Sequence, residues 1–373
     1  MPPGELGLDW NDLFRAVKTG NNGTLRALLA EAATRDGFAE EFPELRDSYG
    51  CGLLYWAIKE GNREATTLLL EYGSDPNETS SRGETALLLA LESENEELAK
   101  ILLDYGSDPE LRDMDGNTPL TRGVSSGKLE VVEILFDLPS HVPDIESRNG
   151  EGYSPLLLAV DLGHYEIAEY LVAKGADPKK KNSEGRSILH LTALHNDYEI
   201  LDLFSENKEV RSLLEDRDQD GNTPLLLSAL YDSVECLERL INLGADPLAK
   251  NLSGKTAKEE ADRMKFHHTL KIIDKATITL LFRASSEGNL DIVEKILSNG
   301  YDAEVRDMLG RTPLLLAVKS GKAELVELLV KNGASPYSTD KEGNSPLALA
   351  EVSESPTIHQ IFKPFLDSQE GKS

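Results

Sequence analysis

Apolar residues along this chain occur in short clusters, and their spacing predicts pairs of helices. One stretch reads LLLAV at residues 156–160, is interrupted at Gly163, and resumes as HYEIAEYLVAK at residues 164–174. The second part places its apolar residues three or four apart, which is typical of an amphipathic helix. Gly175 follows, and glycine is a common helix terminator. The pattern therefore predicts a short buried helix, a turn, an amphipathic helix and a loop.

The turn that precedes the short helix recurs along the chain. DGNTPL occurs at residues 115–120 and again at 220–225, and RGETAL, EGYSPL, EGRSIL, LGRTPL and EGNSPL are variants of it. The glycines of successive phrases lie 33 or 36 residues apart, with one spacing of 56. In each phrase glycine permits a tight turn, the Thr or Ser hydroxyl can cap a helix, and Pro suits the first helical position. The chain is therefore a tandem repeat of about 33 residues.

These phrases resemble the ankyrin repeat, whose motif runs D-x-x-G-x-T-P-L-H-x-A, then G-H, an apolar helix and G-A-D. The match spans nearly the whole chain, as in GNTPL at 116–120 and LVAKGADP at 171–178. The resemblance implies an all-α solenoid of helix-turn-helix units with hairpin-like turn loops. Because 373 residues divided by 33 is about eleven, we expect about eleven repeats. The motif's histidine is retained only at His190, so we expect apolar packing to replace the family's histidine-mediated bond between repeats.

The spacing of 56 predicts a division of the array. It equals 33 plus 23, as if one repeat near Leu280 lacked its turn, and the repeat before it is polar like a capping repeat. We therefore predict a first block of about eight repeats at residues 1–275, with an extended loop at 35–48. A second block of about three repeats with a C-terminal cap follows at 276–373. The two blocks either stack continuously or bend at 274–279.

Charge and composition narrow the possible partners. The net charge is −27 and the pI about 4.7, which disfavours binding to nucleic acid because phosphate contacts need clustered Lys and Arg. A basic protein would be attracted, although the acidic residues also serve solubility. No apolar run is long enough to span a membrane, and MPPGELGLDW has no secretory pattern. We expect a monomeric protein of the cytoplasm or nucleus.

Motifs for catalysis, cofactors and metals are not recognisable. SGKT at 253–256 ends like a phosphate-binding loop, but Ala249 replaces the glycine that such a loop requires. No CxxC, HExxH or nucleophile elbow occurs, and the adjacent His267 and His268 would point in different directions from a helix. We expect no enzymatic activity, no cofactor and no bound metal.

The positions after each first helix indicate where a partner would bind. In outer repeats they are polar, but in the middle repeats they are apolar or aromatic, a type common at interfaces. The predicted contact residues are Leu162, Leu194, His195, Leu230 and Tyr231, together with Tyr153, Met114 and Arg186 at turn tips. Alternatively, the three leucines thicken the core between repeats. Lys179, Lys180 and Lys181 form a basic tip, which is either a solvated loop or a site for an acidic segment.

The leading hypothesis is a non-catalytic module that holds one protein partner on the concave face of repeats four to eight. A second is an acidic escort for a basic client such as a ribosomal protein or histone. A third is a positioning subunit of a larger complex. An adaptor of the ubiquitin-ligase type is disfavoured, because about twenty residues follow the last motif.

Overall fold

The structure of this protein is a computed structural model, and it describes residues 10–80, 83–137 and 142–370. Over these residues the regular elements are helices, and β pairing is limited to two isolated bridges, Thr79 with Thr85 and Lys250 with Thr256. The predicted all-α class is therefore confirmed. Backbone contacts divide the chain into two compact units, unit 1 at Met1–Leu213 and unit 2 at Leu214–Ser373.

Unit 1 consists mainly of helix pairs in which a tight turn joins the two members. Its helices are α1 (Trp10–Lys18), α2 (Asn22–Ala32), α3 (Phe38–Glu41), α4 (Leu53–Lys59), α5 (Arg63–Glu71), α6 (Ala86–Glu92), α7 (Glu96–Asp104), α8 (Pro119–Ser125), α9 (Leu129–Asp137), α10 (Pro155–Asp161), α11 (Tyr165–Ala173), α12 (Ile188–His195), α13 (Tyr198–Phe204) and α14 (Lys208–Arg211). Helix α10 packs on α11 and also on α8 and α12, and α11 packs on α9 and α13. First helices thus contact first helices and second helices contact second helices, as in a stacked repeat array.

The turn before α8 shows how the repeated phrase begins a helix. Gly116 has a φ of +76°, and Thr118 Oγ1 accepts a hydrogen bond from the Thr121 backbone N–H at 3.3 Å. Pro119 is the first residue of the helix, where its missing N–H costs nothing. The roles predicted for glycine, threonine and proline are therefore those that the structure gives them.

Neighbouring repeats are joined by polar bonds as well as by apolar packing. In unit 1, Arg148 Nη1 donates to the carbonyl of Gly152 in its own turn at 3.2 Å and to that of Lys181 in the next repeat at 2.8 Å. Glu146 Oε1 accepts the Asp177 backbone N–H at 2.7 Å. Arginine and glutamate side chains thus cross between repeats in addition to the apolar packing expected in place of the histidine bond.

The segment predicted as an extended loop at 35–48 is partly helical. It contains α3 and a 3-10 turn at Phe42–Glu44. The rings of Phe38 and Phe42 are buried and stack with centroids 4.8 Å apart. Burial of this aromatic pair supplies a local core that a solvated loop would lack.

Unit 2 contains the helices α15 (Pro224–Leu230), α16 (Val234–Leu243), α17 (Ala257–Met264), α18 (His267–Glu287), α19 (Leu290–Ser298), α20 (Pro313–Ser320), α21 (Ala323–Lys331), α22 (Pro346–Glu351) and α23 (Pro356–Glu370). One apolar core runs from Leu248 through Leu281 and Leu314 to Phe362. The repeats of this unit therefore pack together across the position where the sequence predicted a division.

Helix α18 is the reason for that continuity. It passes through 274–279 without interruption. Lys258 Nζ lies 2.7 Å from Asp274 Oδ1, and the Tyr301 hydroxyl donates to the same oxygen at 3.0 Å. These contacts hold the middle of α18 between α17 and the segment after α19.

Candidate protein-binding surface

A cleft in unit 1 lies between two helix-turn-helix corners. Its volume is about 390 Å³, and its lining residues are Asp161, Leu162, Gly163, His195, Asn196, Asp197, Tyr198 and Glu199. The first three stand at the turn between α10 and α11, and the others at the turn between α12 and α13. The local sequence forms these corners because Gly163, with φ +72°, and Asn196, with φ +56°, adopt the left-handed conformation that ends a helix.

Two predicted contact residues meet at this cleft. Leu162 follows the last residue of α10 and is 45% exposed, although residues 155–160 of that helix are buried. His195, the last residue of α12, is exposed, and its Nε2 lies 3.0 Å from Asp161 Oδ1. Leu194 precedes it and is half-buried. The cleft thus combines an exposed apolar side chain with a hydrogen-bonded pair, Asp161 and His195, that joins its repeat to the next one.

Tyr153 and Arg186 are half-buried at successive turns. Burial raises the pKa of the Tyr153 hydroxyl, and the negative charge of Asp161 raises it further. Arg186 Nη1 pairs with Glu184 Oε2 at 2.6 Å. Asp161, at the edge of the cleft, is therefore close enough to Tyr153 at the turn tip to act on its hydroxyl electrostatically.

Met114 lies at a different turn and does not line the cleft. It is 78% exposed, and its Cγ would be 2.7 Å from a Cβ added to Gly83, so the side chain covers the preceding turn. This packing gives Met114 a role between repeats.

In unit 2, Leu230 and Tyr231 end α15. Leu230 is half-buried, and Tyr231 is 52% exposed at the position that caps the helix. They supply a small apolar surface on unit 2.

The basic tip is largely paired within the chain. Lys179 Nζ lies 3.7 Å from Glu209 Oε1, and Lys180 Nζ lies 3.9 Å from Asp177 Oδ2. Lys181 contributes its carbonyl to the Arg148 bond described above. The neighbouring carboxylates offset part of the positive charge, as expected of a solvated loop.

Sequence reasoning missed Asp197, Tyr198 and Glu199 as lining residues. Asp197 Oδ1 accepts the Ile200 backbone N–H at 3.1 Å and so has the pattern of an ordinary helix cap. The sequence feature that could have predicted these three residues is their position directly after α12, a first helix that ends in Leu194 and His195.

Across residues 10–80, 83–137 and 142–370, no group of three or more His, Cys, Asp or Glu side chains is arranged to hold a metal ion. Within the same described segments, no helix combines the length and apolar character needed to cross a membrane.

Comparison with known proteins agrees with the repeat geometry. A family model for ankyrin repeats (three copies) matches residues 54–149, 111–182, 156–251 and 281–367. These ranges cover well over half of the chain, and the chain belongs to the ankyrin-repeat family. Ankyrin repeats are in general non-catalytic modules for binding other proteins.

Individual relatives match parts of the chain. A fem-1 homolog A-like protein of Mus musculus is 30% identical over 171 residues, which is 46% of this chain and 25% of that protein. The nuclear factor NF-kappa-B p105 subunit of Gallus gallus is 32% identical over 114 residues, 30% of this chain and 12% of that protein. The matched regions thus span a quarter or less of these relatives.

A solved structure shares the fold. The crystal structure of the ankyrin repeat domain of Bcl-3, a member of the IkappaB protein family, superposes with a TM-score of 0.52 at 22% identity. The match covers 59% of this chain and 97% of that domain. At this identity the similarity shows the fold alone.

Proposed function

We propose that this protein is a non-catalytic module that holds a protein partner on the concave face of its ankyrin repeats, with the cleft of unit 1 as the main contact. The observation that carries the proposal is Leu162. Its helix buries residues 155–160 but leaves this leucine 45% exposed beside a cleft of about 390 Å³. An exposed apolar side chain next to hydrogen-bonding groups is a common arrangement at protein interfaces.

The alternative that such leucines thicken the core fits Leu194 and Leu230 better than Leu162. Both are half-buried at the ends of their helices. Tyr231 remains exposed, so we include the surface of unit 2 as a second contact. Its contribution is independent of the cleft.

Affinity capture with paired variants tests this proposal. We expect Leu162→Glu with His195→Glu to abolish recovery of a specific protein that wild type retains from cell extract. Leu230→Glu with Tyr231→Glu should reduce the recovery of that protein less. Met308→Glu with Val352→Glu is the matched control, because both residues are exposed apolar side chains elsewhere. Unchanged recovery by the first variant, at an unchanged melting temperature, would contradict the proposed contact.

A second candidate function is supported by the net charge of −27. An escort for a basic client would bind through long-range attraction, and its affinity would fall steeply with added salt. A complex held by local contacts in the cleft of unit 1 would lose less affinity, because it does not depend on long-range attraction alone. We propose that the protein acts in the cytoplasm or nucleus, and free thiols such as Cys51 and Cys236 are compatible with such a reducing compartment.

A further inference from the structure

The cleft of unit 1 is lined by acidic side chains and by a smaller apolar surface. Asp161, Asp197 and Glu199 supply three carboxylates, while Leu162 and the ring of Tyr198 supply apolar surface. Among its lining residues, all of which lie in the described part of the chain, His195 alone can carry a positive charge. Such a cleft favours a ligand that is cationic at one end and apolar along its length.

Two of the carboxylates are oriented by hydrogen bonds to Oδ1. Asp161 Oδ1 is bonded to His195 Nε2 at 3.0 Å, and Asp197 Oδ1 accepts the Ile200 N–H at 3.1 Å. A carboxylate that is already oriented loses little entropy when it binds a donor.

We propose that this cleft binds one arginine side chain of the protein partner. The inference rests on the proposed function and adds the chemistry of the anchor. The aliphatic part of the arginine would pack on Leu162 and Tyr198, and the guanidinium would donate to Asp161, Asp197 and Glu199. Arginine fits better than lysine, because its planar fork of five N–H donors can serve several carboxylates and can stack on an aromatic ring.

Size and long-range charge support the same occupant. A volume of about 390 Å³ is near the lower end of the usual range for ligand pockets, roughly 300–1,000 Å³, and suits one long side chain. The net charge of −27 would draw a cationic segment toward the surface before contact. Arginine is also an enriched anchor residue at protein interfaces.

The experiment is selection of a random 12-residue peptide library on the full chain, followed by calorimetric titration of the enriched peptides. We expect the enriched peptides to share an arginine whose replacement by alanine weakens binding at least about ten-fold. Asp161→Asn with Glu199→Gln should weaken binding similarly, because it removes two of the carboxylates that would accept from the guanidinium. The asparagine oxygen can still accept a hydrogen bond from His195, so the corner is retained. Glu130→Gln with Glu324→Gln is the matched control, since it makes the same change in net charge at exposed positions outside the cleft. It should change affinity less than about two-fold.

The possible outcomes separate this inference from the proposed function. Peptides that depend on Leu162 but lack arginine, or that bind the Asp161→Asn, Glu199→Gln variant as tightly as wild type, overturn the arginine site and leave the proposed contact standing. Equal affinity after replacing the arginine of the peptide by lysine reduces the site to one that recognises charge alone and overturns the assignment. If no enriched peptide loses affinity in the Leu162→Glu variant, both proposals fail. Melting temperatures equal to wild type show that the variants are folded.

Discussion

The turn before α8 and the turn before α17 have the same local conformation and different surroundings. Gly116 has a φ of +76° and Gly254 of +72°. A Cβ added to Gly116 would lie 2.9 Å from the backbone nitrogen of Gly150 in the next repeat, but one added to Gly254 would meet nothing within 4 Å. The next helix pair after α17 begins within α18, which has no turn of its own. Glycine therefore meets two separate requirements in these turns, a backbone conformation and close approach of the next repeat.

Gly116→Val should produce the largest loss of stability. The substitution places a β-branched residue at positive φ and also forces Gly150 to move, so we expect the free energy of unfolding to fall by about 4 kcal/mol. Gly254→Val carries only the conformational cost and should lose about 1–2 kcal/mol. Urea denaturation followed by circular dichroism measures both. Equal losses would show that contact with the next repeat does not contribute.

Lys275→Pro tests α18, the long helix that continues where another repeat would have a turn. Lys275 is exposed in the interior of α18, so a proline there breaks a helical hydrogen bond without disturbing a buried side chain. We expect a loss of about 3 kcal/mol in unfolding free energy, as for proline inside other helices. Lys275→Ala is the control and should be nearly neutral. A proline variant as stable as the alanine variant would mean that the chain bends at 274–279 after all.

The sequence predicted what depends on neighbouring residues and failed where distant residues decide. The glycine turn, the Thr118 cap and Pro119 are local, and each was predicted from a six-residue phrase. In α18, Asp274 contacts Lys258 and Tyr301, which are distant in the sequence, and no periodicity reveals such contacts. The cleft was half predicted. Leu162 and His195 stood out as unusual residues after first helices, whereas Asp197 resembles any capping aspartate.

A third kind of junction, at α4, lacks the usual cap. Gly52 occupies the position that Thr or Ser holds elsewhere, and the carboxylate of Glu78 from the next loop replaces it. Glu78 Oε1 accepts the Tyr55 backbone N–H at 3.0 Å, and Arg46 Nη1 lies 3.6 Å from Oε2. A Cβ on Gly52 would overlap this carboxylate. A side chain from the adjacent repeat can thus cap the first turn of a helix when the residue at the N-cap position is glycine and leaves room for it.

The α4 junction should make the stability of unit 1 dependent on pH, and this is the smallest of the three effects. Burial raises the pKa of Glu78, which is 7% exposed, from an ordinary 4.5 to about 7, and it outweighs the opposing effects of Arg46 and the Tyr55 N–H. The folded protein therefore holds this proton more tightly than the unfolded chain. As a result, the free energy of unfolding falls as pH rises from about 4.5 toward 7. Between about pH 5 and pH 7 we expect Glu78 to contribute a loss of about 2 kcal/mol.

Glu78→Gln removes the titrating group and keeps an oxygen that can accept the Tyr55 N–H. The difference in unfolding free energy between this variant and wild type should therefore change by about 2 kcal/mol over that pH range, in favour of the variant at the higher pH. Glu130→Gln, at an exposed position, controls for loss of one carboxylate. Parallel pH profiles for wild type and Glu78→Gln would show that Glu78 remains ionised in the folded protein, and that Arg46 and the helix N-terminus offset its burial.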